Sequence, residues 1–117
     1  MDAPSEVLDK SGLLARTEGD RDLLKTLVES FVEISPGSLQ KIREAIAQGD
    51  ARTTERAAHF LKGSLGSLSA SHAYSTAEEL EQVARTGDLV SASELFETLE
   101  QDVAVACAAL QKVVEEP

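Results

Sequence analysis

Apolar residues recur at steps of three and four along most of the chain, a rhythm that predicts helices throughout. The last segment is the most regular: Ala92, Phe96, Leu99, Val103, Ala106, Leu110 and Val113 form one unbroken stripe. Ala73, Ala77, Leu80 and Ala84 keep the same spacing in the segment before it. Leu24, Leu27, Val28 and Phe31 form a stripe after Asp20, and Leu39, Ile42 and Ile46 another after Pro36. Each segment is apolar on one face only, so none is stable alone and each requires the others.

The breaks between these stripes carry helix-end chemistry. Gly19-Asp20, Gly49-Asp50 and Gly87-Asp88 each place a residue suited to ending a helix before one suited to capping the next. Ser35-Pro36 predicts a further break, because proline has no amide hydrogen and is tolerated in a first turn. Ser91-Ala92-Ser93-Glu94 reads as a capping box. Short connections make consecutive helices antiparallel. The expectation is an all-α, up-and-down antiparallel four-helix bundle with one or two additional N-terminal helices. A single helical domain over 1–117 is expected, with N-terminal helices at about 5–35 and the bundle at about 36–113.

Composition narrows this picture. Hydrophobic residues make up 42% of the 117 positions, enough for one core, and aromatics only 3%, so that core is built from Leu, Val, Ile and Ala. The net charge is −10, from 21 acidic and 11 basic residues, which disfavours nucleic acid and anionic membrane surfaces as partners. No apolar run approaches the ~18 residues of a membrane span, and Met1 to Glu6 lack the basic and apolar regions of a signal peptide. The lone Cys107 has no partner for an internal disulfide. A cytoplasmic monomer, or a cytosol-facing piece of something larger, is expected.

The segment from Asp50 to about Leu68 departs from the ordinary amphipathic pattern. At about 100° per residue, Ala57, Leu61, Leu65 and Leu68 fall on one side and face the core. Opposite them lie Arg52, Glu55, Arg56, His59, Lys62, Gly63 and Gly66, so His59 is expected to face water. A glycine inside a helix costs about 1 kcal/mol relative to alanine, and here two share the face of the histidine. A partner's close approach to the helix beyond His59 accounts for that bareness. Arg52, Arg56 and Lys62 also make the stripe locally positive on an acidic protein, which suits a transferring phosphoryl group. Taken singly, an exposed histidine, ordinary surface charge pairing of Glu55 with Arg52 or Arg56, or a solvated basic face would each need no function. The two costly glycines favour the conjunction.

Ala58-His59-Phe60-Leu61-Lys62-Gly63-Ser64, followed by Leu68-Ser69-Ala70, resembles the signature of histidine-containing phosphotransfer (HPt) domains. Leu80-Glu81 and Ala84-Arg85-Thr86-Gly87-Asp88 are similar to that family's next helix and its ending, and Leu8 to Ile46 to its N-terminal helices. Ser69 stands where the family usually has Gly, and Leu65 where a small residue is common.

The resemblance implies a phosphorelay protein that accepts a phosphoryl group on the ε nitrogen of His59. It would pass that group to or from the aspartates of response-regulator receiver domains, with a sensor or hybrid histidine kinase as a further partner. Such a protein is a phosphoryl carrier, not an enzyme. It has no nucleotide site and no cofactor or metal of its own, the divalent metal being expected on the receiver. Lys62 would offset phosphoryl charge, and Glu81 would hold the other ring nitrogen. Arg52, Arg56, Gly63, Ser64 and Gly66 would form the receiver docking face. An exposed imidazole, with an ordinary pKa near ~6.5, is already largely neutral and nucleophilic at cytosolic pH, so no buried base is required.

The rival reading is a helical docking or adaptor module that binds a receiver or kinase without phosphotransfer. His72, near the turn into the next helix, reads as a capping or surface histidine rather than a second acceptor or half of a metal site. Cys107 reads as a small near-core residue. Two histidines without tightly spaced carboxylates, and one distant cysteine, make no zinc pattern.

Overall fold

The computed structural model describes residues 7–116. The readings made from Met1 to Glu6, including the first residues of the expected N-terminal helices, lie outside them. Five helices follow in order: α1 Lys10–Arg16, α2 Arg21–Ala47, α3 Ala51–Ser67, α4 Ser71–Arg85 and α5 Leu89–Glu115. Helices α2 to α5 form a ring in which each packs on its two neighbours: α3 on α4, α4 on α5, α5 on α2 and α2 on α3. This is the all-helical bundle expected, with α1 as the one additional helix among the described residues.

The Gly-Asp pairs act as their chemistry dictates. Gly49 and Gly87 end α2 and α4 with φ of 71° and 86°, where a side chain would be strained. Asp20, Asp50 and Asp88 then accept the backbone N–H of Leu23, Thr53 and Ser91. Ser91 is therefore not a cap. The left-handed Gly87 starts α5 at Leu89, and the Ser91 hydroxyl donates to Asp88 Oδ2 at 2.7 Å.

The break expected at Ser35-Pro36 does not occur, and with it goes the division between N-terminal helices and bundle at residue 36. α2 runs through Pro36 for 27 residues. Its buried positions Leu24, Val28, Phe31, Ser35, Ser38, Ile42 and Ala45 alternate steps of four and three without interruption. Proline inside a helix costs about 3 kcal/mol, but two apolar halves in one phase, both buried against the ring, hold the helix together. Pro36 itself faces solvent.

The core matches the expected stripes on α4 and α5 residue for residue. It differs on α2, where Leu27 is 39% exposed, while Leu39 and Ile46 are half-buried. On α3, Ala58 and Thr54 are buried and Ala57 only half so, which turns the buried face by about one position. At the end of α3, Ser69 has φ 55°, the left-handed conformation that glycine adopts most readily. Its carbonyl accepts the Asp9 N–H at 2.8 Å and its hydroxyl accepts Arg16 Nε at 3.2 Å, tying α1 to the bundle. No helix among the described residues is long and apolar enough to cross a membrane.

Candidate functional site

His59 lies in the middle of α3, where the Asp50 cap and the buried Thr54, Ala58, Leu61 and Leu65 fix the helix's rotation. That rotation leaves the imidazole 66% exposed. Its Nδ1 does not point to water: it lies 2.8 Å from Oε2 of Glu81, across the α3–α4 interface. Glu81 sits on the buried face of α4, next to Leu80, with a side chain only 7% exposed. A carboxylate so placed requires cations, and it has two. Lys62 Nζ lies 2.8 Å from Oε1, and Arg85 Nη2 lies 3.3 Å from Oε2. Lys62 approaches outside the hydrogen-bonding direction, so Oε1 has an ion-pair partner but no aligned donor.

Burial pushes the Glu81 carboxyl up, but the contacts from Lys62 and His59 more than offset it and hold the group below its ordinary value. Contact with Glu81 outweighs the desolvation that would push Lys62 down, and its ammonium is held above the usual lysine range. Glu81 is therefore an anion that accepts a hydrogen bond. It selects the tautomer with hydrogen on Nδ1 and leaves a lone pair on the outward Nε2.

The sign of these shifts predicts the acid limb of stability. A carboxyl whose folded pKa lies below its unfolded value stabilises the fold above the unfolded value, 4.5 for Glu81. That contribution is lost as pH falls through the folded pKa. Asp50 and Asp88, lowered from 3.8 by bonds from Thr53 and Ser91, begin to lose theirs only below 3.8. The melting temperature, followed by circular dichroism, should be level near neutrality and begin to fall below pH ~4.5. In Glu81→Gln the onset should move to lower pH; an unchanged onset would remove Glu81 from the explanation.

The structure brings most of the remaining candidates to the same place. Arg52, Glu55, Arg56, His59 and Glu81 line one open depression of about 400 Å³. Gly63 is exposed one turn on, and a Cβ built on it meets nothing within 4 Å. Ser64 is half-buried. Gly66 is not bare surface: a Cβ there would come 3.2 Å from the Tyr74 ring, so its missing side chain lets α4 close on α3. The expectation that Gly66 clears space for a partner is corrected accordingly. Lys62 spans the same seam, its Nζ 6.0 Å from the centre of the Tyr74 ring.

Two features escaped the sequence reading. Phe60 is 64% exposed beside His59, an apolar side chain on the polar flank of α3. Glu55 pairs not with Arg52 or Arg56 but with Arg85, whose Nε lies 2.7 Å from Oε2. The four-residue spacing of Glu81 and Arg85 on α4 was the available signal. His72, half-buried in the first turn of α4, lies 3.3 Å from Asp102 Oδ1 on α5, outside this cluster.

Three comparisons bear on this arrangement. The family model described as the Hpt domain matches residues 26–112. No match was found among curated proteins. Among solved structures, the chain is similar to histidine-containing phosphotransfer protein B from Pseudomonas aeruginosa PAO1. The two share 29% identity over 97% of each chain, with a TM-score of 0.87.

Proposed function

We propose, on the premise that this chain belongs to the Hpt domain family, that His59 is the residue on which it carries the phosphoryl group. The chain is a histidine phosphotransfer protein of a phosphorelay, a carrier rather than an enzyme in the usual sense. One observation supports His59 above all: its Nδ1 is held by a buried, ionised Glu81 while its Nε2 faces solvent.

The chemistry follows from that geometry. The Nε2 lone pair attacks the phosphorus of a receiver's phosphoaspartate; the P–N bond forms, and the P–O bond to the aspartate carboxylate breaks. The ring keeps its Nδ1 proton and becomes cationic, and the Glu81 carboxylate lies against that new charge. Lys62 contributes positive charge to the same cluster, to Glu81 at rest and to the phosphoryl oxygens once they arrive. The reverse step returns the group to another aspartate. The divalent metal belongs to the receiver, and this chain supplies no nucleotide site. Arg52, Arg56, Gly63 and Ser64, with the exposed Phe60, form the docking face for receiver domains of the cytoplasm.

Incubation with a phosphorylated receiver domain tests the assignment. The label should be acid-labile and base-stable, and peptide mapping should place it on residue 59, not 72. Binding without label would instead support an adaptor.

Gly63 gives a separate test. Nothing surrounds a Cβ at this position, so Gly63→Ala should stabilise the helix by about 1 kcal/mol and raise the melting temperature by about 4 °C. Gly63→Leu should keep the helix but slow uptake from a receiver domain, leaving uptake from a small donor such as phosphoramidate unchanged. Equal rates from the receiver in wild type and Gly63→Leu would show that the bare surface has no docking role.

A further inference from the structure

Glu55 and Arg85 are exposed enough to pass for ordinary surface charges, with side chains 28% and 60% accessible. Their geometry is more specific than that. The Arg85 guanidinium is held through Nε by Glu55 on α3 at 2.7 Å, and its Nη2 reaches the Glu81 oxygen that contacts His59 Nδ1. The other Glu81 oxygen is drawn to Lys62. A carboxylate pulled from one side alone can rotate about its terminal bonds, and rotation toward Lys62 would take Oε2 away from the imidazole. Arg85 opposes that rotation, and Glu55 anchors Arg85. Of the two contacts Arg85 makes, the one to Glu55 is the closer, 2.7 Å against 3.3 Å to Glu81, so Glu55 sets where the guanidinium sits.

We infer that Glu55 and Arg85 are positioning residues, a bridge from α3 to α4 that fixes the Glu81 carboxylate and through it the reactive tautomer of His59. This rests on His59 as the acceptor. The bridge consists of groups in contact, so its two ends should act as one unit.

Phosphoramidate is a suitable probe, because it transfers without a docking partner: Nε2 forms the P–N bond to the ring as the donor's own P–N bond breaks and ammonia leaves. Arg85→Gln should lower the maximal uptake rate by about threefold to fivefold, as expected for an exposed ion pair. Glu55→Gln should lower it by a similar factor, and the double variant should be no worse than either single one. A field effect predicts opposite signs, since Arg85→Gln removes positive charge from an anion-accepting site while Glu55→Gln removes negative charge. Faster uptake in Glu55→Gln would therefore overturn the bridge.

Nitrogen-15 shifts of the His59 ring, measured above pH ~8 where an ordinary imidazole is neutral, give a second readout. Both variants should show less hydrogen on Nδ1, and Arg85→Lys, which keeps the charge but not the fork, should recover only part of it. Ring shifts identical to wild type in Arg85→Gln would also overturn the proposal. Loss of uptake in His59→Gln is the control: labelling that persists there removes the acceptor assignment itself, whereas an unchanged Arg85→Gln rate beside an inert His59→Gln removes only the bridge.

Discussion

His59→Gln is expected to reduce phosphoryl uptake to background, a fall of at least about a hundredfold, while His72→Gln takes up label at the wild-type rate. The two histidines differ in what surrounds them. His59 is 66% exposed with Nδ1 engaged, which leaves its outward Nε2 available as the proposed nucleophile. In His72 it is Nε2 that meets a carboxylate, Asp102 at 3.3 Å, and the ring is 42% exposed. Asp102 also accepts the buried Thr76 hydroxyl at 2.6 Å, which makes that pair a brace between α4 and α5. Glutamine is a sparing replacement at residue 59. It keeps a donor for the buried Glu81, so stability should change by no more than the worth of one hydrogen bond, about 1 kcal/mol. Uptake is measured with a phosphorylated receiver domain and with phosphoramidate, with melting curves beside both. Acid-labile label in His59→Gln would move the acceptor elsewhere.

Glu81→Ala carries the second-largest effect. Without the carboxylate the imidazole is free to rotate and to exchange tautomers, and the cationic ring formed on phosphorylation has no counter-charge. Loss of this orienting partner is expected to lower the uptake rate by about tenfold to a hundredfold, by analogy with carboxylates that orient metal-binding histidines. Glu81→Gln should fall between, because an amide oxygen still accepts the Nδ1 hydrogen bond but supplies no charge. The order wild type, glutamine, alanine in maximal uptake rate is the expected result. Equal rates in all three would mean that the 2.8 Å contact orients nothing that matters to the reaction. Receiver affinity should be nearly the same across the series, since Glu81 is buried beneath the proposed docking face.

How much of this was legible depended on whether the deciding contact lay within one helix. The stripe of α5 was complete because every member is apolar and a helix shows its phase in its own sequence. α2 was misread at Pro36 because the residues that carry the stripe across it, Ser35 and Ser38, are small and polar. Leu27 and Val28 are equally apolar neighbours, and only the ring of helices decides that Val28 is buried and Leu27 half-exposed. Gly63 and Gly66 look alike in sequence, yet Tyr74 on α4 covers one and leaves the other open. The family's glycine position, occupied here by Ser69, acquires its reason from the left-handed turn that follows α3.

The sequence by itself determined the helical class, the aspartate caps and the outward face of His59, since all three depend on rotation about a single helix axis. The family resemblance pointed to Glu81 as a partner. Only the tertiary structure decided that a carboxylate 22 residues away comes to rest on Nδ1, that Lys62 and Arg85 share it, and that Glu55 holds Arg85. Those contacts cross from α3 to α4. The distance across such a seam is set by the relative rotation and axial shift of two helices, fixed jointly by their packed side chains, including Tyr74 against Gly66.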